Sequence, residues 1–99
     1  MASGEPAQRA FEAWVRGRVQ GVGFRWCTQR RAQELRLGGW VCNLADGRVH
    51  VWVEGAGPNA TEMEAWLRVG PRGSRVEELD LRERRPIGFG SFEIRRAEA

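Results

Sequence analysis

Gly21-Val22-Gly23-Phe24-Arg25 is the stretch of this chain whose residue types best suit chemistry. It follows an apolar-alternating segment and comes just before a helical pattern. Two glycines at a strand-to-helix turn let the backbone bend tightly and leave its N–H groups uncovered. The start of a helix adds unpaired N–H donors and the positive end of the macrodipole, which together attract an anion. An arginine one residue into that helix adds a planar, permanently charged fork that matches phosphate oxygens. The five residues read as a seat for a phosphate-like group.

A second element is Gly39-Trp40-Val41-Cys42-Asn43, followed by Asp46-Gly47. Asparagine is depleted in strands, so Asn43 at the end of one has two readings. It is a turn former leading into the Asp-Gly hairpin, or an amide that positions a water molecule. An amide accepts from a water proton and donates elsewhere, fixing orientation without taking the proton.

The elements that must hold these residues follow from periodicity. Residues 1–10 are small, polar and unpatterned and read as a flexible tail, leaving 11–99 as a single domain. Phe11, Ala13 and Val15 alternate with Glu12, Trp14 and Arg16 in a half-buried strand. Phe24 to Leu37 is helical, with Phe24, Thr28, Ala32 and Leu35 on one face and Gly38-Gly39 stopping it. Trp40 to Leu44 is a short strand, Asp46-Gly47 a hairpin turn, and Val49, Val51 and Val53 alternate in the next strand. A second helix is expected from near Asn59, with Met63, Trp66 and Leu67 inward, closed by Gly70-Pro71. Val76, Leu79 and Leu81 lie in an extended segment, and Phe92 to Arg95 forms a last short strand.

That order implies an α+β fold in the split βαβ arrangement, an antiparallel sheet with two helices on one face. The valine sides meet the helices. The opposite side, with Trp14, His50 and Trp52, is expected to face solvent or a partner.

Composition narrows the function classes. Ninety-nine residues support one core. Two cysteines, Cys27 and Cys42, and one histidine, His50, are too few soft ligands for a usual zinc site. Two partly buried thiols and no metal are expected. No apolar run approaches the roughly 20 residues of a membrane span, and the N-terminus has no signal pattern, so no membrane association and a cytoplasmic location are expected. The sixteen basic residues are all arginine, a bias that a GC-rich genome explains most plainly, and the net charge of +3 suits an anionic small substrate.

Gly17-Arg18-Val19-Gln20-Gly21-Val22-Gly23-Phe24-Arg25, Gly39-Trp40-Val41-Cys42-Asn43 and Asp46-Gly47-Arg48-Val49 resemble the signatures of the acylphosphatase family, in order and spacing. Gly70-Pro71 with Arg75-Val76, and Phe92-Glu93-Ile94-Arg95, also resemble it, so the likeness runs from Phe11 to Arg96. The resemblance implies a ferredoxin-like α/β sandwich (βαββαβ, four to five strands) that hydrolyses acyl phosphates to a carboxylate and inorganic phosphate. It implies Arg25 as phosphate binder and Asn43 as the residue that orients the attacking water. The backbone of Gln20, Gly21, Val22, Gly23 and Phe24 would form the phosphate cradle, and no cofactor or metal would be needed. A monomer acting on a small acyl phosphate is expected. One departure is Leu44, where many animal members carry threonine; it is expected to tune rate or pH response.

No cysteine or serine is placed as a nucleophile, and Cys27 is expected to point away from the turn. His50 is expected to be a solvated surface residue and not a base. The main rival is an RNA-binding module of similar topology, with Trp14 and Trp52 as a stacking face. Its RNP1-like echo, Gly88-Phe89-Gly90-Ser91-Phe92, lies in the wrong segment, so nucleic acid is not the expected partner. The same fold inside a larger maturation enzyme is the weaker expectation for a chain of this length.

Overall fold

The alternation around Phe11 builds a long first strand, β1 (Gln8–Arg18), in the computed structural model of the protein, which describes residues 7–96. It begins inside the segment expected to be a tail, and residues 1–6 lie outside the described part. The chain continues through α1 (Phe24–Glu34), β2 (Gly38–Asn43), β3 (Val49–Ala56), α2 (Gly57–Val69), β4 (Arg75–Arg84) and β5 (Phe92–Ile94). The five strands form one sheet in the order β4-β1-β3-β2-β5. Neighbours are antiparallel except for β2 and β5, which pair in parallel because the chain crosses from one edge of the sheet to the other. This is the ferredoxin-like sandwich with a fifth strand on the β2 edge.

Period-2 alternation puts Phe11, Ala13, Val15, Val49, Val51 and Val53 on one face, all fully buried. Both helices lie over that face. Helix α1 contributes Phe24, Thr28 and Ala32, with Leu35 just past its end, and α2 contributes Ala60, Met63 and Leu67. Thr28 satisfies its buried hydroxyl by donating to the Phe24 carbonyl at 2.7 Å.

The helix ends differ from expectation, for physical reasons. Helix α1 stops before Gly38-Gly39: Arg36 takes a left-handed φ of 55°, and the Leu37 N–H donates back to the Ala32 carbonyl at 2.9 Å. The two glycines are strand residues instead. A Cβ on Gly38 would meet the Phe89 carbonyl and one on Gly39 the Trp52 carbonyl, so close backbone approach requires glycine at both, and Gly39 also has φ 136°. Helix α2 begins at Gly57, earlier than Asn59, because Pro58 fits its first turn. Asn59 serves the other helix, donating to the Leu35 carbonyl at 2.9 Å.

The second face of the sheet is covered by its own side chains, contrary to the expectation of an open one. Trp52 is only 9% exposed, with Phe89 edge-on at 6.3 Å. His50 is not a solvated residue. It is stacked on Trp14 at 4.8 Å, meets the edge of Trp40 at 4.7 Å, and has Nε2 2.6 Å from the Glu12 carboxylate. Arg84 donates to the other Glu12 oxygen, and the Arg95 guanidinium lies over Trp40. Base stacking needs free aromatic faces, so this packing weighs against the RNA-binding reading.

Glu54 anchors the segment that covers Trp52. Burial works against its charge. The N–H groups of Gly88, Ile87 and Phe89 and the Trp52 indole outweigh that cost and hold the carboxyl below the usual glutamate range. A depressed folded pKa stabilises the protein above the unfolded pKa and loses that contribution as pH falls through the folded value. Glu54→Gln is therefore expected to cost about 1.5–3 kcal/mol at pH 7. Urea unfolding should show the gap to wild type closing as pH falls through the lowered folded-state pKa of Glu54, below which the wild-type carboxyl is neutral too.

Candidate active site

The turn between β1 and α1 is built around two left-handed glycines. Gly21 has φ 78° and Gly23, at the N-cap of α1, has φ 74°. A Cβ at either would meet nothing within 4 Å, so conformation and not crowding demands glycine. Val19 and Phe24 are buried on either side, and Val22 packs against the core. The segment is thus pinned from below. Cys27 N–H to the Gly23 carbonyl, at 3.0 Å, is the bond that starts the helix, and no side chain caps it. The N–H groups of Phe24, Arg25 and Trp26 precede that bond and so stay available at the helix start.

Val19, Gln20, Gly21, Gly23, Phe24, Arg25, Trp26, Asn43 and Ile94 line one pocket of about 200 Å³. The structure therefore brings Arg25 together with Asn43, and with Gln20, Gly21, Gly23 and Phe24 of the expected cradle. Val22 is the exception: it does not line the pocket, because its side chain turns to the core. Arg25 makes no ion pair or hydrogen bond with any described residue, whereas Arg9, Arg31, Arg48, Arg68 and Arg84 all pair with carboxylates. Among the described residues nothing neutralises Arg25, which lines the pocket.

Asn43 ends β2, opposite Val49. Its Oδ1 is buried and has no hydrogen-bond partner among the described residues. A buried acceptor without a donor costs on the order of 1–3 kcal/mol, so the turn-forming role alone does not account for it. The hairpin is made by other atoms: Asp46 accepts from the Arg48 N–H at 3.0 Å and from its guanidinium Nε at 2.8 Å, and Gly47 has φ 95°.

Gln20 has a second role that periodicity did not disclose. Its side-chain amide donates to the Leu44 carbonyl at 2.9 Å and the Arg48 carbonyl at 3.1 Å. The cradle is thereby tied to the turn that carries Asn43. Leu44 enters this tie through its backbone, its N–H donating to the Arg48 carbonyl at 2.8 Å. The only earlier signal was that Gln20 lies between a buried valine and the first glycine.

The pocket lining contains no Cys, Ser, Thr, His, Asp or Glu. His50 and Glu12 pair with each other on the far face of the sheet, and Cys27 is half-buried outside the pocket. A larger concavity of about 560 Å³, lined by Arg36, Glu54 and Gly88 to Phe92, lies at the opposite end of β2 and β3. Its carboxylate, Glu54, is already saturated by backbone donors.

The model of the acylphosphatase family matches residues 11–94. Among curated relatives, the acylphosphatase of Burkholderia cenocepacia (strain HI2424) is 54% identical over 71 residues, covering 72% of each chain. That of Pseudomonas aeruginosa (strain PAO1) is 44% identical over 90 residues, covering 91% of this chain and 99% of the relative. The solved structure of an acylphosphatase from Coxiella burnetii superposes with a TM-score of 0.85 at 32% identity, covering 89% of this chain and 93% of that one. The family match over residues 11–94 and the identity and coverage of these relatives lead to one conclusion: the chain belongs to the acylphosphatase family.

Proposed function

We propose that this acylphosphatase hydrolyses the carboxyl–phosphate bond of a small acyl phosphate by direct attack of water on phosphorus. The observation that carries the reading is an unpaired guanidinium, that of Arg25, in the same pocket as the unpartnered buried oxygen of Asn43. Arg25 takes two phosphate oxygens through its fork. The backbone N–H groups of the Gln20–Phe24 turn and the helix start take the remaining charge. Asn43 Oδ1 accepts a hydrogen bond from the water and aims its lone pair at phosphorus, opposite the acyl oxygen.

The new bond joins water oxygen to phosphorus, and the bond that breaks joins phosphorus to the acyl oxygen, which leaves as carboxylate with its electron pair. The water proton passes to a phosphate oxygen, so no protein base is required. Carboxylate is a good leaving group and needs little acid assistance. Positioning and charge stabilisation then supply most of the acceleration. The same reading takes the enzyme as a cytoplasmic monomer that needs no metal or other cofactor; no described helix is long and apolar enough to cross a membrane.

Hydrolysis of benzoyl phosphate in ¹⁸O-labelled water tests this reading. The label is expected in inorganic phosphate and not in benzoate, at a rate unchanged by a chelator. Label in benzoate would mean attack at the carbonyl carbon and would remove the proposed role of Arg25 as a clamp on the reacting centre.

A further inference from the structure

The pocket wall divides by chemistry, and only one half of it is explained by phosphate. On the reading above, Arg25 and the turn N–H groups serve the anion and Asn43 the attacking water. Val19 and Phe24 are buried and belong to the core as well. Trp26 and Ile94 do neither: they line the same pocket, yet Trp26 is 57% and Ile94 39% exposed. Large apolar side chains left in water beside a polar seat suit an apolar ligand part.

Both side chains are held in place. Ile94 ends β5, which is fixed by pairing with Val41, by the Arg95 N–H donating to the Val41 carbonyl at 2.8 Å, and by Gln29 of α1 donating to the Phe92 carbonyl at 3.1 Å. Trp26 projects from the first turn of α1, and the Arg30 guanidinium lies over its ring at 5.4 Å. The pocket's volume of about 200 Å³ is below the roughly 300–1,000 Å³ of sites that enclose a whole organic ligand. With the phosphate seated inside, the acyl group must leave over the rim, where these two residues stand.

We propose that Trp26 and Ile94 form the acyl-binding wall and make this enzyme selective for acyl phosphates with an aromatic or extended apolar acyl group over acetyl phosphate. The inference rests on the acyl phosphate reading above. Phosphate binding is common to all such substrates, so discrimination among them has to come from contacts beyond the phosphorus. A pocket contact of this kind discriminates by about 10–200-fold.

The test compares kcat/KM for benzoyl phosphate and acetyl phosphate in wild type, Trp26→Ala, Ile94→Ser and Trp26→Phe. The benzoyl-to-acetyl ratio is expected to fall about tenfold in Trp26→Ala, chiefly through KM for benzoyl phosphate. It should fall in the same direction in Ile94→Ser and recover in Trp26→Phe. Both side chains are exposed, so folding is expected to survive, and circular dichroism checks it. Variants that slow both substrates equally, or leave the ratio unchanged, overturn the acyl wall while the hydrolytic reading stands. Wild type that turns over neither substrate overturns the hydrolytic reading itself.

Discussion

Arg25→Gln is expected to lower kcat/KM for benzoyl phosphate by about 10³-fold or more, with the thermal midpoint nearly unmoved. Loss of one preorganised donor to a developing anion costs about 10²–10³ in rate. Arg25 combines two donors with a full charge, so its loss should lie at or beyond the top of that range. At about 1.4 kcal/mol per decade, a thousandfold loss corresponds to about 4 kcal/mol of transition-state stabilisation. Stability should hold because Arg25 has no partner to orphan among the described residues. Arg25→Lys sharpens the result. Lysine restores the charge without the fork, so it should recover part of the lost binding and little of the lost kcat. Steady-state kinetics on both variants, with thermal melts alongside, check it. Activity within tenfold of wild type in Arg25→Gln would remove Arg25 from the reaction.

The glycine turn and the place of Arg25 at the start of α1 were legible before the structure because their signals are local. A glycine pair at a strand-to-helix junction and an arginine one residue inside the helix are set by backbone conformation and helix geometry alone. The face of each strand was legible for the same reason, since side chains alternate with period 2. What was hidden depended on who approaches whom. Gly38-Gly39 looked like a helix stop because glycine answers two different needs, a left-handed φ and close backbone contact. Only the packed sheet shows that close contact applies at both, joined at Gly39 by a φ of 136°, while Arg36 takes the left-handed position at the helix end. Alternation put Trp52 and His50 on the face away from the helices correctly, yet it said nothing of their cover. That cover comes from Phe89, Arg84 and Arg95, distant in sequence and held through Glu54, Glu12 and β5. That Trp26 and Ile94 share a pocket was invisible for a related reason: they sit on different elements, and the parallel pairing of β5 beside β2 brings Ile94 to it.

Under the proposed mechanism, loss of the Asn43 side chain should move catalysis and stability in opposite directions. Asn43→Ala is expected to lower kcat about 10²–10³-fold with KM changed little, because the amide acts on the water and not on the bound phosphate. Most substitutions of a half-buried residue destabilise by about 0.5–3 kcal/mol. Here the expected direction is opposite. The change removes a buried oxygen that finds no donor among the described residues, whose desolvation costs about 1–3 kcal/mol, and it removes asparagine from a strand end where it is disfavoured. Loss of side-chain packing offsets part of that gain, so the variant should be as stable as wild type or more stable by up to about 1 kcal/mol. Asn43→Asp keeps the shape and places a carboxylate facing the phosphate. It should be slower than the alanine variant and should also raise KM, because two like charges share a small pocket. Urea unfolding and steady-state kinetics on the two variants decide the matter together. An alanine variant that loses stability while keeping most of its kcat would return Asn43 to the role of a turn former.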